Sequence, residues 1–128
     1  MQDRPNAAEL AQAVREFVET EVLPQIDDPR LRFRALVAIN GLGILEREIA
    51  LGTPLVRREV DSLARLLGHA DPLPEDLEDL RRRASDLNRE LALLIRAGDI
   101  PEGTLAHCVA TVADKLRVAS PRYLERYR

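Results

Sequence analysis

A chain of 128 residues, 45% apolar and 32% charged, is long enough to bury a core without disulfide or metal staples, and residues 1–128 are expected to form a single helical-bundle domain. Its net charge of −3 and pI of about 5.5 argue against a nucleic-acid binder, which needs a basic excess to neutralise phosphates. Aromatics make up only 3% and Trp is absent, so the core must be built from Leu, Val, Ile and Ala.

The opening residues, MQDRPNAAEL, lack a basic stretch followed by an apolar one, so no signal peptide is expected. Asn6 followed by Glu9 resembles a capping box. The helix it opens should run to about Val22 and stop before Pro24, with Leu10, Val14, Phe17 and Val18 as its core stripe. Asp28 and Pro29 start a second helix that should end near Leu51, with Gly52 as its cap. Within it, Ala35 to Leu45 holds a single polar side chain, Asn40. Leu31, Ala35, Ala38, Leu42, Leu45 and Ile49 form one apolar stripe. Phe33, Val37 and Ile44, with Asn40, form a second on nearly the opposite side. A helix apolar on two faces is surrounded by other helices or buries one face against another protein.

Thr53 and Pro54 repeat the start signal for a third helix, which should run to about Leu67 and end at Gly68. The fourth should start near Pro74. Leu77, Leu80, Ala84, Leu87, Leu91 and Leu94 alternate steps of three and four along it, and Gly98 closes it. The fifth should start between Pro101 and Thr104 and reach about Ala119, with Leu105, Cys108, Val109, Val112 and Leu116 facing the core. Ser120 and Pro121 stop it before a short tail holding Tyr123, Leu124 and Tyr127. No segment has the alternation of a strand. The expected class is therefore all-α, a bundle of about five helices with a short C-terminal tail. The longest apolar run falls short of the roughly 20 residues needed to span a bilayer, so no membrane role is expected.

Candidate sites are few. Asn40 reads first as a buried polar residue fixing register, and otherwise as a polar contact at an interface. Gly41 and Gly43 each cost a helix interior about 1 kcal/mol relative to Ala, so something should approach the backbone there. His107, Thr111 and Asp114 share one helix face, which reads as solvated surface. They are also acid–base ingredients, without an evident nucleophile or metal partner. Paired Cys or His at metal-binding spacing is absent, so neither metal nor cofactor is expected. Cys108, the one cysteine, reads as a small core residue and suits a reducing, cytoplasmic setting. Arg81, Arg82 and Arg83 follow Glu78 and Asp79 at pairing distances and read as a surface ion-pair network.

Four segments resemble a small bacterial family of unknown function: DRPNAAELAQAVREFVE, FRALVAINGLGILERE, DLNRELALLIRAGD and TVADKLRVASPRYL. The stretch from Asp71 to Arg83 is longer than the usual pattern, and Ser120 stands before the proline in place of Asn. Genes of that family sit beside aminoglycoside-phosphotransferase-like kinases and acyl-CoA dehydrogenases. In levulinate-type hydroxyacid catabolism, such a small protein works with the kinase that phosphorylates a hydroxyacyl-CoA. The resemblance thus implies a non-catalytic accessory subunit whose partner is the kinase. It marks Arg34, Asn40, Asp114, Lys115, Pro121 and Tyr123 as contact candidates. Ile44 joins them from the second apolar stripe. Two other readings stand beside this one: a self-associating bundle that binds an acyl or CoA ligand, and a small enzyme using His107 and Asp114.

Overall fold

Asn6 accepts from the Glu9 backbone N–H at 2.9 Å, and the Glu9 carboxylate accepts from the Asn6 N–H at 2.9 Å. This reciprocal pair opens α1, Ala7–Phe17, in the computed structural model, which describes residues 3–126. A wide π-type turn, Val18–Val22, and a 3₁₀ turn, Leu23–Gln25, carry the chain past Pro24, which has no N–H to add to the α-helical ladder. Then come α2 (Pro29–Leu67), α3 (Leu77–Ala97), α4 (Thr104–Ala119) and a short α5 (Pro121–Arg126). The fold is all-α, with no strand among the described residues.

The expected break between a second and a third helix is absent. Helix α2 runs 39 residues straight through Gly52, Thr53 and Pro54. Pro54 lies inside it, and Gly52 is buried in the helix interior rather than capping an end. The true caps are Gly68, φ +77°, and Gly98, φ +83°, where the left-handed backbone favours glycine. At the second, the Asp99 N–H reaches back to the Leu94 carbonyl at 3.0 Å and closes α3.

The chain divides into two compact units. One comprises residues 1–51 with 118–120, the other residues 52–117 with 121–128. The boundary falls just before the Thr53-Pro54 pair.

In the second unit, Val60, Leu63 and Ala64 of α2 pack on Leu80, Ala84, Leu87 and Leu91 of α3. The seam expected for α3 is thus the one the structure buries. Val60, Leu63 and Leu80 are wholly enclosed, and each contributes about 1.5–3 kcal/mol of burial.

The first unit packs differently from the expected stripes. On α1 the core side is Ala11, with Ala8 and Arg15 half-buried, while Leu10, Val14 and Phe17 are exposed. Arg15 bridges to Glu46 of α2 at 2.5 Å, and Glu46 holds its guanidinium pKa above the ordinary value. Gly43 is buried, with the side chains of Arg47, from its own helix, and of Arg15 at ordinary van der Waals distance from a Cβ placed there. Nothing lies within 4 Å of a Cβ built on Gly41, and there the expectation of a close approach fails. On α2 the inward line is Ile39, Leu42 and Gly43, whereas Leu31, Phe33, Val37, Leu45 and Ile49 are exposed. Neither predicted stripe is the buried one. The inward side of this unit thus combines Ala11, Gly43, Ile39 and Leu42 with the Arg15–Glu46 ion pair, and most of the larger apolar groups stay outside.

Candidate functional site

Helix α4 is turned over relative to its apolar pattern. Its buried side carries Thr104 and His107, and its outer side carries Leu105, 78% exposed, with Val109 and Val112. The face read as solvated is therefore the one packed on α2. His107 Nδ1 and Ser62 Oγ share a hydrogen bond of 2.7 Å, with the donor set by the ring tautomer. The Asp114 carboxylate is held between two guanidiniums, Arg58 at 3.0 Å and Arg117. Lys115 Nζ lies 3.7 Å from Glu59, which also accepts from the Asn88 amide at 3.1 Å. Polar contacts with α2 fix the roll of α4. Burying its larger apolar side instead would leave the Arg58 and Ser62 face of α2 without these partners.

Two concavities among the described residues border α4. An open one of about 660 Å³ is lined by Arg58, Ser62, Arg65, Glu102, Ala106 and His107. Its serine–imidazole pair could pass a proton; of the carboxylates nearby, Asp61 is paired with Arg65 and Asp114 with Arg58 and Arg117, and Glu102 also lines the space. A second groove of about 350 Å³ is lined by Cys108, Val109, Val112, Ala113, Leu116 and Leu124. Cys108, expected in the core, lines this groove as a free thiol.

The other candidates are dispersed. Arg34 and Asn40 are exposed on α2, and Ile44 is half-buried there. The reading of Asn40 as a buried register residue is corrected: the core line on α2 passes through Ile39, Leu42 and Gly43, and Asn40 falls outside it. Pro121 starts α5 and is half-buried, and Tyr123 is half-exposed. Tyr127 lies outside the described residues. Arg34, Asn40 and Ile44 thus belong to the first unit, and Asp114, Lys115, Pro121 and Tyr123 to the second. Ser62 was not singled out by sequence. The signal was available, since Arg58, Ser62 and Arg65 form a polar line at helical spacing on α2. In the arginine triplet, Arg82 lies 3.7 Å from Asp79 and Arg83 pairs with Asp71 at 3.1 Å, as a surface network.

The profile of one known family, described as a domain of unknown function (DUF6285), matches residues 24–123. The chain belongs to that family. The DUF6285 match takes in α2, α3 and α4 whole, and every contact candidate from Arg34 to Tyr123, whereas α1 lies before it. No curated protein and no solved structure matches the chain. No helix among the described residues is long and apolar enough to cross a membrane.

Proposed function

We propose that this DUF6285 protein is a non-catalytic accessory subunit. It binds and supports an aminoglycoside-phosphotransferase-like kinase acting on hydroxyacyl-CoA substrates in the cytoplasm, within acid catabolism. The observation that carries the reading is the outer face of α2, where Phe33 is 67% exposed beside Val37 and Leu36, with Arg34 among them. Contiguous exposed apolar side chains of this size are the usual mark of an interaction surface. Arginine and aromatic side chains are the types that most often anchor interfaces. The resemblance supplies the identity of the partner. The chemistry belongs to the kinase, and this chain contributes a docking face. Asp114, which an enzyme reading would set beside His107, is instead paired with Arg58 and Arg117.

The test is co-expression with the candidate kinase followed by size-exclusion chromatography and a phosphorylation assay on a hydroxyacyl-CoA. Co-elution is expected, with kinase activity that rises strongly on mixing. Separate elution, with equal activity in the presence and absence of this chain, would reject the reading.

A further inference from the structure

We propose that the outer face of α4 is a self-docking surface, on which the same helix of a second copy packs antiparallel about a two-fold axis near Val109. Leu105, Val109, Val112 and Leu116 are spaced four, three and four residues apart, the seam of a two-helix coiled coil, and the first three are exposed. A seam of this kind is self-complementary: under a two-fold axis, Leu105 of one copy meets Val112 or Ala113 of the other, and Val109 meets Val109. Ala113 and Cys108 flank the seam and, being small, let a second helix approach the groove closely.

Charge decides between a second copy running parallel and one running antiparallel. Asp99 and Glu102 stand at the N-terminal end of α4, both exposed and neither ion-paired among the described residues. Lys115 and Arg117 stand at the C-terminal end, with Arg122 beyond them on α5. Antiparallel pairing about Val109 sets Glu102 of each copy level with residue 116 of the other, between Lys115 and Arg117. Parallel pairing would stack like charge on like charge and align the helix dipoles. Arg117 is available for such a contact because Asp114 keeps Arg58 as a partner if Arg117 turns away. The residues of this seam are none of those assigned to the kinase, so the two proposals are tested by different variants and fail independently.

Sedimentation velocity over a range of concentrations tests the self-docking. A monomer–dimer equilibrium is expected for the full chain. Val109→Asp should be monomeric with unchanged helix content by circular dichroism. Glu102→Lys and Arg117→Glu should each dimerise more weakly alone, and a mixture of the two should dimerise as well as the unaltered chain, because both ion pairs are then restored. A full chain that is monomeric at every concentration would overturn the proposal. So would a dimer that survives Val109→Asp, or a dimer abolished by Phe33→Asp instead. If Arg117→Glu fails to fold, Glu102→Lys must still weaken the dimer on its own, and an unchanged dimer in that variant counts against the proposal.

Discussion

Ser62 on α2 and His107 on α4 meet through a 2.7 Å hydrogen bond, and this contact turns the polar side of α4 inward. It sits beside the Arg58–Asp114 and Glu59–Lys115 contacts, so α4 is held to α2 by polar groups at three levels. An imidazole only 7% exposed needs such a partner, because an unpaired buried polar atom costs about 1–3 kcal/mol.

Removing either partner is therefore expected to loosen α4. Ser62→Ala should cost about 1 kcal/mol, and His107→Ala about 1–3 kcal/mol because packing is lost as well. The double variant should cost less than the two single losses added together, since both remove the same bond. Urea unfolding followed by circular dichroism measures this. Strict additivity would show that the two side chains do not act as a pair.

The unbroken α2 makes its own prediction. Pro54 is exposed inside the helix, where proline removes one backbone hydrogen bond. Pro54→Ala should raise stability by about 1–3 kcal/mol, toward the full difference between proline and alanine in a helix interior. Gly41→Ala should add about 0.5–1 kcal/mol, since a new Cβ there meets nothing within 4 Å. Melting temperatures report both. An unchanged or lowered melting temperature in Pro54→Ala would mean that the chain does not run as one helix through this point.

Where local signals and packing agree, the pattern of residues was enough. The capping box at Asn6 and Glu9, the caps at Gly68 and Gly98, and the Leu80–Leu91 seam of α3 all stand as periodicity implies. The Gly52-Thr53-Pro54 signal misled because a proline in a helix loses one bond and its neighbours can hold the rest of the ladder. The faces of α1 and α4 misled for another reason. Periodicity identifies an apolar stripe, but nothing in it says whether that stripe meets the same chain, and here Leu10, Phe17 and Leu105 stay exposed while Ala11 and His107 are buried. Ser62 lies on the polar line of α2 with Arg58 and Arg65, but its partner, His107, comes from a distant helix and is set by packing.

Acid should weaken the start of α1 only once the pH is low enough to protonate Glu9. The Arg4 guanidinium, and after it the Asn6 backbone N–H, hold the Glu9 carboxyl below the usual glutamate value. A lowered folded pKa means that the contribution is fully present above the unfolded value, about 4.3, and is lost as pH falls through the folded one. An NMR titration of Glu9 should show a midpoint below that of an ordinary glutamate, and Arg4→Ala should move it upward. A midpoint indifferent to Arg4→Ala would remove the ion pair from the account.

The exposed α2 face separates binding from folding. Phe33→Asp should leave helix content and melting temperature nearly unchanged, because the side chain already lies mostly in water. Leu80→Ala should instead cost about 2–5 kcal/mol, since it empties an enclosed site in the core. Comparing the two by thermal denaturation tests whether the large apolar groups of the first unit belong to its surface. A collapse of Phe33→Asp equal to that of Leu80→Ala would place Phe33 in the core.

The most direct test of the accessory-subunit account is the rate of hydroxyacyl-CoA phosphorylation by the candidate kinase, titrated with the unaltered chain and with Phe33→Asp. The account predicts a saturable rise in rate with the unaltered chain and little or no rise with the variant at the same concentrations. A rate that stays flat with both, or rises equally with both, would contradict it.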